Sequence, residues 1–188
     1  EVIDGAYYEE ARARGKRFIF DADDGTFAGL VYASFDDFSD RVRARKLKKA
    51  QKLLAKQDVT LYTSDDSRLE DLYAMRDVEQ ITTLPQRADE SPIFMCDGVY
   101  VPTERREEFI GEVAALADKL HISLPLKVNV LTGIISTYPM IHFKKVSDKQ
   151  KILKLATEYA ALAHKAGGTI AGAQAEGRIN AFAGYAQL

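Results

Sequence analysis

An α+β fold, an antiparallel sheet covered on one face by helices, is what this sequence predicts, and three observations carry the prediction. Short apolar or alternating runs recur between longer runs with apolar residues at helical spacing, in strand, helix, strand units. No sequence repeat aligns between those units. The chain has 188 residues and 46% apolar content, enough for one well-packed domain and cramped for two, so 1–188 reads as a single domain.

Taken in order, Ala28 to Ser34 (AGLVYAS) reads as a buried strand. A long polar helix follows from about Asp36 to Lys56, with Phe38, Val42, Leu47, Ala50 and Leu54 as a narrow apolar stripe. Asp58 to Thr63 alternates as a half-buried strand should, and Ser67 with Glu70 three residues on opens a short helix carrying Leu69, Leu72, Tyr73 and Met75. Gln80 to Pro92, with two prolines and many polar residues, reads as a loop. The pattern then restarts with a strand from Phe94 to Val101. Pro102 and Thr103 start a helix in which Phe109, Ile110, Val113, Leu116, Ala117 and Leu120 hold helical spacing. Two strands, near Leu126 to Leu131 and Ile134 to Lys144, precede a last long helix. That helix opens at Ser147, with Gln150 completing a capping box, buries Ile152, Leu155, Ala156, Tyr159, Leu162 and Ala163, and stops at Gly167 and Gly168. The whole is α+β of a ferredoxin-like kind.

Charge and composition narrow the function classes. Lys plus Arg number 26 against 28 Asp plus Glu, and a net charge of -2 gives no broad electrostatic reason to expect nucleic acid or anionic lipid as partner. The basic run Arg41 to Lys56 lacks interleaved aromatics and reads as a solvated helix face that could dock on an acidic partner. The single cysteine, Cys96, permits no internal disulfide and no cysteine-based metal cluster, and reads as a small buried hydrophobe. No apolar run approaches the roughly 20 residues that span a bilayer, and the start lacks the core of a signal peptide. A cytoplasmic protein is expected. The start at Glu1 rather than Met suggests a piece of something longer.

The segment most informative about function is Gly167 to Arg178, GGTIAGAQAEGR. Its glycines serve either as a helix stop and tight turn with Arg178 solvated, or as a turn that approaches a ligand. Upstream lies PLKVNVLTGIISTYPMIHF, from Pro125 to Phe143. His121 and His164 lie near helix ends and His142 in a strand, at no metal-ligand spacing, and all three read as structural.

Together these two segments resemble the carboxy-terminal domain of the FAD-linked oxidases, the group with D-lactate, glycolate and D-2-hydroxyglutarate dehydrogenases. Members carry a motif GHxGDGNxH, whose histidines bind a divalent metal in several of them. Laid on Val130 to Tyr138, it keeps Gly133 and puts Leu131 and Tyr138 at the histidines, with Ile134 and Ser136 for the Asp and Asn. A second motif, GGTISGEHGxGR, keeps Gly167, Gly168, Gly172, Gly177 and Arg178 but has Ala173 and Gln174 for its Glu and His. Leucine and alanine cannot ligate a metal and Tyr and Gln do so poorly, so no metal is expected. The family's usual Lys and Asp before its VxVP strand end fall on Cys96 and Gly98.

The resemblance implies a substrate-side cap over the flavin of an oxidoreductase acting by hydride transfer to FAD, the FAD being gripped by a separate amino-terminal domain. The 188 residues alone are then expected to be inactive and to hold no FAD. The LYAMR run resembles the family's helix whose arginine holds the substrate carboxylate, which assigns Arg76 to substrate, against a surface ion pair with Asp77 or Glu79. Gln174 joins it at the substrate, while Gly172, Gly177 and Arg178 approach the isoalloxazine. Tyr138 is the catalytic candidate, as a donor or as a base of lowered pKa, against a plain core aromatic. The alternative function is a noncatalytic binding or assembly module on the same scaffold.

Overall fold

A computed structural model describes residues 1–13, 28–63, 90–93, 97–142 and 144–170. The chain runs β1 (Val2–Asp4), α1 (Gly5–Ala13), β2 (Gly29–Val31), α2 (Asp40–Leu54), β3 (Glu90–Pro92) and β4 (Val99–Tyr100). A 3-10 turn (Thr103–Arg105) then leads into α3 (Arg106–Leu120), followed by β5 (Leu126–Asn129), β6 (Ile134–Thr137), β7 (Met140–His142) and α4 (Val146–Lys165). Five strands form one sheet in the order β2-β1-β5-β6-β4, every neighbouring pair antiparallel. β3 and β7 form a separate antiparallel pair. The α+β expectation is met.

Alternation along the strands sorts the sheet into two faces. Val2, Val128, Ile135 and Val99 lie in register across four strands, and Val128, Ile135 and Val99 are buried in the cluster that α3 and α4 complete. From α3 come Phe109, Val113, Leu116 and Leu120, and from α4 Leu155, Tyr159 and Ala163. Phe109 and Tyr159 meet edge to face at 5.5 Å between ring centroids. Each such buried side chain contributes roughly 1.5–3 kcal/mol of transfer free energy, so this layer holds the fold. Ile3, Tyr7, Tyr8 and Tyr138 are buried outside that cluster. Since Ile3 alternates with Val2, α1 and its tyrosines cover part of the opposite face.

Several expectations are corrected. The first strand is an exposed edge of three residues rather than a buried run, with Val31 on its surface. The long helix starts at Asp40 rather than Asp36 and buries none of its stripe among the described residues, and Phe38 lies before it, fully exposed. Asp58 to Thr63 forms no strand, and Val59 and Leu61 are exposed. The supposed loop to Pro92 ends in β3, which pairs Ser91 with Ile141. The strand expected across Phe94 to Val101 is only β4 among the described residues. The strand expected from Ile134 to Lys144 breaks at Pro139, which has no amide to donate, and continues as β7 in the other sheet. α4 starts at Val146 with Lys145 before it and no side-chain cap, so Ser147 sits inside the helix and the capping box does not form. The short helix at Ser67 lies outside the described residues.

The end of α4 shows what the first two glycines of the turn do. Gly167 has φ +72, the left-handed stop that a helix end favours. The next residues dock on β4, with Tyr100 N donating to Thr169 O at 2.8 Å and Thr169 N to Tyr100 O at 3.0 Å. Gly168 sits so close to this strand that a Cβ would lie 2.2 Å from the Tyr100 carbonyl oxygen. For Gly167 and Gly168, helix stop and backbone packing account for the glycines without a ligand.

Candidate functional site

The face of the sheet away from α3 and α4 carries a polar row. Ile3, Lys127 and Ser136 lie in register across β1, β5 and β6, and Tyr138 follows Ser136 two residues on, on the same side by alternation. Pairing persists to that point because Tyr138 N donates to Pro125 O at 3.0 Å. The Tyr138 ring packs edge-on against Tyr7 of α1, centroids 6.3 Å apart, and its hydroxyl donates to Asp97 Oδ1 at 3.5 Å. Lys127 Nζ lies 3.6 Å from a Glu1 carboxylate oxygen, both side chains mostly buried.

Electrostatics bear on the protonation of the phenol. Burial pushes the Tyr138 pKa above its ordinary value of 10, the nearby Asp97 and Tyr7 push it further, and a hydrogen bond with Ser136 only partly offsets them. The pKa expected of a base is lowered and this one is raised, so the phenol keeps its proton and donates it to Asp97.

At the start of α1, Asp4 caps the helix. Its Oδ1 accepts from Tyr7 N at 2.8 Å and reaches across to Leu126 N of β5 at 3.1 Å, tying α1 to the sheet under the tyrosines. Burial outweighs these bonds and raises the Asp4 pKa above 3.8. The folded chain then holds this proton more tightly than the unfolded one, so the stabilisation by Asp4 titration is complete below the ordinary carboxylate pKa and is lost as pH rises through the folded value.

The turn from β5 to β6 holds the position of the first motif. Asn129 Oδ1 accepts from Leu131 N and Thr132 N, both at 3.2 Å, and Gly133 takes φ +77 to close it. Beneath it Arg106 is 9% exposed, with Nη1 donating to Val130 O at 2.9 Å and Nη2 to Thr103 Oγ1 at 3.0 Å. A Cβ on Gly133 would stand 3.0 Å from Arg106 Nη2, Tyr100 Cε2 and Val101 O, so this glycine serves conformation and packing. Leu131 points to solvent at 98% exposure, while Tyr138 is 2% exposed. An exposed aliphatic chain and a buried, protonated phenol do not fit a metal. Among the described residues no group of three or more His, Cys, Asp or Glu could hold one.

Of the predicted site residues, the structure places Tyr138. Arg76, Gly172, Gln174, Gly177 and Arg178 lie outside the described residues, as does Cys96. Asp97 was not legible as a neighbour of Tyr138, although Ser136 and Tyr138, two residues apart, could be read as sharing one face. His121 takes φ 53 at the end of α3, His164 lies in the last turn of α4 and His142 in β7.

The chain matches the family of FAD linked oxidases, C-terminal domain, over residues 13–179. It belongs to that family, which makes it a cap domain of a flavin-dependent oxidoreductase with FAD as the family's cofactor and an amino-terminal FAD-binding domain as its partner. No curated protein matches it. No helix among the described residues is long and apolar enough to cross a membrane.

Proposed function

We propose that this chain shapes the substrate pocket over the flavin of an oxidoreductase resembling the D-lactate and glycolate dehydrogenases, and works there without a metal. The observation that carries this reading is the half-buried polar row on the face away from α3 and α4, where the buried Tyr138 keeps its proton between Ser136 and Asp97. Hydroxy-acid substrates present a carboxylate, and a neutral phenol together with a guanidinium such as Arg76 suits its recognition.

The described glycines 133, 167 and 168 are filled from behind by the chain's own backbone and side chains or serve turns, and none forms a cradle for a flavin. FAD, when bound, supplies the redox chemistry. Gly172, Gly177 and Arg178 are the positions proposed to face it, with Gln174 at the substrate. In this reading the family's metal motifs are degenerate and Tyr138 takes over as a hydrogen-bond donor.

FAD retention tests the division of labour. A longer protein carrying this domain is expected to purify with flavin bound, and the 188 residues alone without it. Stoichiometric FAD on the 188 residues would place the flavin grip inside them and overturn the cap reading. One observation favours a noncatalytic module instead: Leu131 is exposed where several members have a metal-binding histidine.

A further inference from the structure

The helix α2 concentrates charge in a way its packing does not require. It holds seven Lys and Arg against one carboxylate, in a chain of net charge -2. Arg43 is paired with Asp40, and Lys46 reaches Asp37 at 3.0 Å. The other five, Arg41, Arg45, Lys48, Lys49 and Lys52, are all exposed and make no ion pair among the described residues.

Helical spacing puts these five on one side. At about 100° per residue they fall within a single stripe about 16 Å long, Arg41, Arg45, Lys48 and Lys52 succeeding one another at intervals of four, three and four residues. Like charges at those intervals destabilise a helix, so the stripe works against the stability of α2 unless an anionic surface relieves it. Val42 and Leu53 border the stripe, Leu53 is exposed, and Phe38 stands fully exposed just before the helix.

We propose that α2 docks this protein on the surface of an anionic lipid bilayer, lying in the plane of the headgroups. A straight row of cations with an exposed phenylalanine and leucine at its margin suits a flat anionic interface, where ammonium and guanidinium groups stay with the headgroups and the apolar groups enter the acyl boundary. Nucleic acid is the less favoured polyanion, because no aromatic is interleaved with the cations to stack on bases. The attachment is peripheral and reversible, since each cation near such a surface strengthens binding only about fivefold.

Co-sedimentation of the full chain with vesicles of phosphatidylcholine, alone or mixed with phosphatidylglycerol, tests this. Binding to the mixed vesicles and not to the neutral ones is expected, weakening as salt screens the headgroups. The variant Arg41→Gln/Arg45→Gln/Lys48→Gln/Lys52→Gln should bind at least about 100-fold more weakly, and the pair Lys48→Gln/Lys52→Gln about 25-fold, should the fourfold variant fail to fold. Absence of binding to mixed vesicles, equal binding to neutral ones, or binding unchanged in the glutamine variants would each overturn the proposal. So would retention on duplex DNA or polyglutamate without vesicle binding.

Discussion

Gly168→Ala is expected to destabilise the chain by about 3 kcal/mol or more, because its methyl group would have to enter backbone that cannot yield. The added Cβ would meet Tyr100 O at 2.2 Å and Ala163 O at 3.1 Å. One of these atoms accepts the bond from Thr169 N that docks the turn on β4, and the other accepts from Gly168 N at 2.8 Å at the end of α4. Accommodation therefore costs either the bridge or the helix end. Gly111, inside α3 and with nothing within 4 Å of where a methyl group would stand, is the control. Gly111→Ala should stabilise by up to about 1 kcal/mol, through helix propensity and a less flexible unfolded chain. Urea unfolding of the two variants checks the pair. Equal effects would mean that the docking of the glycine turn on β4 is not what fixes that end of the helix.

Tyr138→Phe is the change expected to matter most for chemistry. Phenylalanine keeps the edge-on contact with Tyr7 and removes only the hydroxyl, so stability should fall by about 1 kcal/mol. If the phenol turns its single proton from Asp97 to a charged substrate group, the loss of a bond of about 1.5–3 kcal/mol slows flavin reduction by about 10- to 100-fold in a protein carrying this domain. Because burial and Asp97 raise the pKa of Tyr138, no inflection from it should appear in the pH profile below its ordinary value of 10. Rates unchanged in Tyr138→Phe, at full flavin content, would assign the residue to the core. An inflection near neutrality that vanishes in Tyr138→Phe would restore the base.

Where the sequence was legible, the signal was local and continuous. Phe109, Val113, Leu116, Ala117 and Leu120 are spaced for one face of a helix and are buried on it, and Gly167 stops α4 where a left-handed residue is needed. What was not legible depends on distant partners. Glu90 to Pro92 looks like loop by composition and becomes a strand only because β7 lies beside it. Asp58 to Thr63 alternates and yet is not a strand, since alternation specifies a face and not a neighbour. The same limit hid Asp97, whose place against Tyr138 spans 41 residues of sequence. The motif positions mislead in a different way. Gly133 and Gly168 look in sequence like parts of ligand-approaching segments, and the structure accounts for both by packing against Tyr100 and its neighbours.

The central claim, a metal-free substrate cap over a flavin, is tested most directly by the visible absorption of a protein carrying this domain, purified without added cofactor and mixed anaerobically with 2-hydroxy acids in the presence of a chelator. Flavin bands that a hydroxy acid bleaches, with the chelator without effect, are the expected result. A colourless protein that takes up no FAD, or bleaching abolished by the chelator and restored by a divalent ion, would contradict it.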